Sequence, residues 1–267
     1  MEVERGVTDN ILYGRHPLLE ALRSGSRQFD EIAVLEAGRG GGLEEIIRRA
    51  RILGIKLTFR SRDALTALAG TPHHQGVVAR VSARGYVEVE DLLAVAKTRA
   101  EAPFLLALDQ LQDPQNLGSL LRSAEAAGVH GVILLRRHGV GLTGVVAKAS
   151  AGAVERLAVA RVGNLSETLR DLQKRGLWVV GAVPQGGTPI WAADLTGPLV
   201  LVLGGEGRGL RPLVARQCDC LVTIPMRGSV ASLNTAVAGA VCLFEVLRQL
   251  AGSKGGEKTL DSEKLKN

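Results

Sequence analysis

Three short stretches carry groups that could hold and transform a ligand. The first is Asp113-Pro114-Gln115-Asn116-Leu117-Gly118-Ser119-Leu120-Leu121-Arg122. Its Asn116 amide can orient a hydroxyl, and its Arg122 guanidinium can clamp a phosphate through paired hydrogen bonds. The second, Gly204-Gly205-Glu206-Gly207-Arg208-Gly209, follows an apolar run. Glycines let backbone approach a ligand, and a carboxylate among them needs donors to satisfy it. The third runs from Ile224-Pro225-Met226 through a Gly228-Ser229 turn to Ser232-Leu233-Asn234. Ser and Asn there stand where a helix starts, and a helix start offers free N–H groups to a polar ligand. Each stretch also has a plain reading. Asn116 caps a helix and Arg122 is a solvated cation about 100° round from the buried Leu121. Glu206 sits exposed on a turn, and Ser232 and Asn234 only cap.

The glycine loop has the spacing Gly205-x-Gly207-x-Gly209, which is not the dinucleotide fingerprint, and no phosphate-binding Walker loop occurs. His73-His74 has no partner at metal-ligand spacing, so a turn or an RNA contact is the expected role. Cys218, Cys220 and Cys242 read as inert buried thiols, and Trp178 and Trp191 as core or interface residues.

The elements that must position these stretches alternate. Apolar spacing predicts helices near 18–22, 43–50 and 64–68, with strands at 32–35, 55–59 and 76–81. From 104 onward strands are expected at 104–108, which is fully apolar, and at 131–135, 177–183, 199–203 and 220–224. Helices are expected over 117–127, 145–152, 165–175 with Asn164 as cap, and 231–250. Continuous apolar strands separated by helices mean parallel βαβ units. The expected division is a small α/β domain at 1–82, a linker with one helix at 83–102, a parallel-sheet domain at 103–251 and a polar tail at 252–267. Ligands in such sheets bind outside the carboxyl ends of the strands, where the first two stretches fall.

At 267 residues, the chain is long enough for one large or two small domains, and 46% hydrophobic with 22% charged residues is a globular balance. Three cysteines exclude a disulfide scaffold and fit a reducing compartment, so a cytoplasmic protein is expected, with no membrane partner and no secretory signal. The net charge is +6, with 25 Arg among the 33 basic residues. Arg-rich positive charge fits a polyanion partner, and a GC-rich coding bias gives the same composition. Aromatics at 3% argue against a base-stacking platform.

Taken together and in this order, the three stretches resemble the SpoU (TrmH-like) branch of the SPOUT RNA 2′-O-ribose methyltransferases. Asn116-x-Gly118-x-x-x-Arg122 is similar to the first motif of that family, Gly204-x-Glu206-Gly207-x-Gly209 to the second, and Ile224-Pro225-Met226 with Ser232-Leu233-Asn234 to the third. Gly14-Arg15-His16-Pro17-Leu18 and His74-Gln75-Gly76-Val77-Val78-Ala79 resemble the substrate-binding domain of the RlmB-type branch, which methylates a guanosine 2′-oxygen in 23S ribosomal RNA.

The resemblance implies an α/β fold whose C-terminal SPOUT domain is tied in a trefoil knot, an exception to the rule against knots, and whose N-terminal α/β domain binds RNA. It implies S-adenosyl-L-methionine held against the backbone and walls of Gly204, Gly205, Gly207, Ile224, Met226 and Leu233. It also implies a homodimer with its sites near the interface, ribosomal RNA rather than DNA as partner, and no metal. The implied catalytic set is Arg122, Asn116, Glu206, Ser232 and Asn234. With a sulfonium as donor, charge is lost on transfer, so the protein's tasks are in-line alignment and removal of the hydroxyl proton. The family proposal makes Arg122 the base. An arginine pKa above about 12 favours instead a phosphate clamp that lowers the hydroxyl pKa. A transfer-RNA methyltransferase of the same family, a non-catalytic RNA-binding relative and a dehydrogenase using the glycine loop are the competing expectations.

Overall fold

The apolar runs fold into two sheets, one mixed and one wholly parallel. The computed structural model describes residues 10–36, 38, 40, 42–206 and 209–253. Gly207 and positions 254–267 of the expected tail lie outside the described residues.

The first sheet is built from β1 (Ile11–Tyr13), β2 (Phe29–Leu35), β3 (Lys56–Arg60) and β4 (Val77–Val81), in the order β1-β4-β2-β3. Helices α1 (Arg15–Ser24), α2 (Leu43–Ile52) and α3 (Arg62–Ala69) connect its strands. β2 runs parallel to β3 and antiparallel to β4. Within 83–102 the chain forms α4 (Val89–Thr98), whose Leu92 is fully buried with Leu105 and Ile133 of the second sheet.

The second sheet continues with β5 (Phe104–Asp109), α5 (Pro114–Ala126), β6 (Gly131–Leu135), α6 (Gly144–Ala149), β7 (Val159–Val162), α7 (Leu165–Lys174) and β8 (Trp178–Ala182). It ends with β9 (Thr188–Pro189), β10 (Leu199–Gly204), α8 (Pro212–Gln217), β11 (Cys220–Thr223) and α9 (Thr235–Ser253). The strand order is β7-β6-β5-β10-β8-β11-β9, and every pairing is parallel. β5 and β6 are buried at every position because helices cover both faces. α4, α7 and α8 share the core of one face, while α5, α6 and α9 share that of the other.

The helix starts differ from the sequence expectation for local reasons. Asn116 is not the cap of α5. Asp113 is, accepting from Gln115 N–H at 2.8 Å, and Pro114 takes the first helical position, where its missing N–H costs nothing. α9 begins at Thr235 rather than 231, with Asn234 as the capping side chain. β1, β7, β9 and α8 are too short to leave a clear period in the sequence. Trp178 and Trp191 are half-exposed rather than core residues. Over Thr235–Gly252, α9 is long and apolar enough to cross a membrane, which the sequence reading did not anticipate. Here Gly239 packs it directly onto Leu120 and Leu203, with Cys242, Leu243 and Val246 buried.

The two sheets share one continuous apolar cluster and a buried ion pair. Arg27, before β2, meets Glu155, between α6 and β7, at 2.9 Å with both side chains fully buried. Ser26 Oγ donates to the same carboxylate at 2.6 Å. Gly144 abuts the carbonyl of Ile11, leaving no room for a side chain. Replacing Glu155 by Ala leaves the Arg27 charge buried without its partner. Urea unfolding should show a loss of about 3–5 kcal/mol.

Candidate active site

The register of β10 on β5 sets the site. Gly204 pairs with Asp109, so two loops that lie far apart in sequence leave the sheet side by side at its carboxyl edge. Asp109 is buried, and its carboxylate accepts from Arg211 N–H at 2.9 Å and Arg211 Nε at 2.7 Å. This pair pins both ends of the glycine loop, Gly204 through the ladder and Arg211 through the carboxylate. The sequence reading missed the pair, because its members stand 102 residues apart. A Cβ on Gly204 would lie 2.0 Å from the carbonyl carbon of Gly209, so only bare backbone fits there.

The side chains of the three loops meet in one hydrogen-bonded run. Asn234 Oδ1 accepts from the N–H groups of Ala236 at 2.9 Å and Val237 at 3.3 Å. Its Nδ2 therefore faces outward and donates to Asn116 Oδ1 at 3.1 Å. Asn116 Nδ2 in turn donates to Glu206 Oε1 at 2.6 Å. A carboxylate only accepts, so both amide orientations are fixed from the two ends of the run.

The second and third loops line a cleft of about 200 Å³. Gly204, Gly205, Ile224, Met226, Ser232 and Leu233 form part of its wall. Ala182, Val183 and Pro184 form a further wall that sequence reading missed, since apolar residues after a strand carry no distinguishing signal. Bare backbone at Gly204 and Gly205 with aliphatic walls suits a flat heteroaromatic group that presents polar edges to peptide groups.

Arg122 stands apart from the run. It lies six residues beyond Asn116, about 9 Å along α5 and 120° round it. It is exposed, and it makes no hydrogen bond or ion pair among the described residues.

The remaining chemical groups are structural. Burial pushes the His74 pKa down, so its ring is neutral. Nδ1 accepts from Gly76 N–H at 3.1 Å, leaving Nε2–H to meet Thr66 Oγ1 at 3.2 Å. Burial drives the thiols of Cys218 and Cys242 up to about 12. Among the described residues no cluster of three potential metal ligands exists.

The chain matches two family models. Residues 103–244 match the SpoU rRNA Methylase family, and residues 11–87 match RNA 2′-O ribose methyltransferase substrate binding. It is 43% identical to the 23S rRNA (guanosine-2′-O-)-methyltransferase RlmB of Shewanella oneidensis, over 90% of this chain and 97% of that protein. It is 42% identical to the putative TrmH family tRNA/rRNA methyltransferase YacO of Bacillus subtilis, over 90% and 96% of the two chains. Among solved structures it superposes on the SpoU methyltransferase AviRb of Streptomyces viridochromogenes in complex with AdoMet. The TM-score is 0.74 at 26% identity, covering 90% of this chain and 89% of that one.

Changing Asp109 to Asn removes the charge that holds Arg211. Denaturant unfolding should show a loss of about 1–3 kcal/mol. Hydrogen exchange at the Gly209 and Arg211 amides should accelerate more than exchange in β6.

Proposed function

This chain belongs to the SpoU rRNA methylase family, and on that premise we propose that the cleft, the hydrogen-bonded run and Arg122 together form a methyl-transfer site. The protein is an RNA 2′-O-ribose methyltransferase dependent on S-adenosylmethionine, and its substrate is a guanosine ribose in 23S ribosomal RNA. The observation that carries the site assignment is the Asn234–Asn116–Glu206 run, which joins the three loops, two of which also line the cleft.

The sulfonium donor, when bound, supplies an already activated methyl group. The protein has no growing charge to stabilise on the leaving side. Gly204, Gly205, Ile224, Met226 and Leu233 present backbone and aliphatic surface to the donor. Gly207 belongs to the same assignment by its place in the loop. Asn116, with both amide ends committed, Glu206 bonded to it and Ser232 at the cleft orient the ribose and hold the loops. Alignment of this kind can supply about 7–11 kcal/mol of a barrier.

Arg122 acts on the RNA side. Its free guanidinium clamps the phosphate next to the target ribose and favours the ionised 2′-oxygen electrostatically. Its distance from Asn116 and its lack of a partner among the described residues support a group that meets substrate rather than donor.

The further parts of this reading are a division of labour, a knot and a dimer. Residues 1–82 bind RNA, 83–102 join the units and 103–251 perform transfer. A trefoil path through the cleft is supported by the way 224–235 and the glycine loop wall one cavity while α9 returns across β10 onto α5. Val237 and Phe244, exposed and seven residues apart on one face of α9, support a homodimer contact. A ribosomal substrate supports a cytoplasmic location.

Arg122→Ala should reduce methyl transfer to 23S RNA by at least about a hundredfold, as loss of a transition-state contact does. Calorimetry should find S-adenosylmethionine affinity unchanged. Near wild-type transfer by this variant would remove Arg122 from the site.

A further inference from the structure

We infer that the carboxyl edge of β6 and β7, presenting Arg136, Arg137 and Arg161, seats the phosphodiester backbone of the RNA beside the methyl-transfer cleft. This rests on the reading of the chain as an RNA 2′-O-methyltransferase and names a contact surface within its catalytic unit.

The location follows from the sheet order. β6 lies directly beside β5, and β7 beside β6, so all three carboxyl ends share the edge that carries the cleft loops. Adjacent strands are about 4.8 Å apart, which puts the far end of this patch about 10 Å from the end of β5. The basic segment is also tied to the first motif loop. Val140 N–H donates to the carbonyl of Leu111 at 3.0 Å, two residues before the Asp113 that caps α5.

The chemistry of the patch sets it apart from other arginines of the chain. Arg48 and Arg49 are neutralised by Glu45, Arg60 by Glu31, Arg156 by Glu20 and Glu125, and Arg175 by Glu90. Arg136, Arg137 and Arg161 have no carboxylate partner among the described residues. Arg136 Nε donates to the Arg161 carbonyl at 3.1 Å, and Arg161 Nη2 donates to the Arg136 carbonyl at 2.9 Å. The Arg161 guanidinium also stacks 4.8 Å from the Tyr86 ring centroid, and Tyr86 Oη receives Leu142 N–H at 3.0 Å. Its Nε is buried, with no acceptor among the described residues. Two guanidiniums are thus held in place without a carboxylate, and the exposed Arg137 follows Arg136 with no hydrogen bond or ion pair among the described residues. Positive charge that is fixed and unneutralised beside a site for RNA chemistry fits phosphate oxygens, which take such donors without regard to sequence.

The test uses the full chain and whole 23S RNA transcribed in vitro. Variants are the double change Arg136→Gln with Arg137→Gln, Arg137→Gln alone, and Arg99→Gln as a charge control past the end of α4. Arg137→Gln breaks no hydrogen bond, so it keeps the test open if the double variant folds poorly. Filter binding between 50 and 200 mM salt should show roughly tenfold weaker binding for the double variant, through lost phosphate neutralisation. The slope of log K against log salt should become shallower by about one for each arginine removed. The KM for RNA should rise in step, with a far smaller change in kcat and none in S-adenosylmethionine affinity. Arg99→Gln should match wild type. Wild-type affinity and slope in both Arg137 variants, with methyl transfer intact, would overturn the inference. A wild-type protein that binds RNA but transfers no methyl would overturn the functional reading instead, and the salt slopes would still decide the edge.

Discussion

A capping interaction at the start of one helix organises the site. The first free amides of α9 fix the Asn234 side chain, and that amide dictates which way Asn116 must face. Asn116 then commits its remaining donors toward Glu206. Because each amide is bonded at both ends, a rotation of one would leave like groups facing each other, at the cost of an unmade hydrogen bond. Three loops are thereby held in one relation by three side chains. The glycine loop can be nearly all backbone because its geometry is imposed from outside, by this run above and by Asp109 below.

Much of this was legible in the sequence. The continuous apolar runs at 104–108 and 199–203 announced buried parallel strands, and the structure has them as the paired centre of the sheet. The motif residues pointed to a site only through their joint resemblance to a known family, because each alone also reads as a cap, a turn or a solvated cation. What stayed hidden was pairing over distance. Nothing in the sequence joins Asp109 to Arg211 or Arg27 to Glu155, since each partner alone is an ordinary charged residue. The cap of α5 was misplaced for a smaller reason. Asp113-Pro114 and Asn116 both suit a helix start, and proline's fixed φ decides in favour of the earlier one. Arg122 could be matched to a motif, but its exposure without an ion pair among the described residues needed coordinates.

The charge of the molecule is also better understood in place than in sum. A net charge of +6 spread evenly would say little. Local neutralisation removes many of the arginines from account, as Glu20, Glu31 and Glu45 do around the first sheet. Among the arginines without a carboxylate partner, Arg122, Arg136, Arg137 and Arg161 lie on α5 or at the carboxyl ends of β6 and β7. Part of the unneutralised charge therefore lies on the same side of the sheet as the chemistry.

The contact between Arg27 and Glu155 sets an order of events during synthesis. Its members are separated by 128 residues, so the first sheet leaves the ribosome long before its countercharge exists. Until then Arg27 must stay hydrated, and the face that later meets α6 stays wet. N-terminal units generally fold first as a chain emerges. Here the earlier unit reaches its final packing only when the later one has been made, so a nascent chain arrested near its middle carries an unfinished seam.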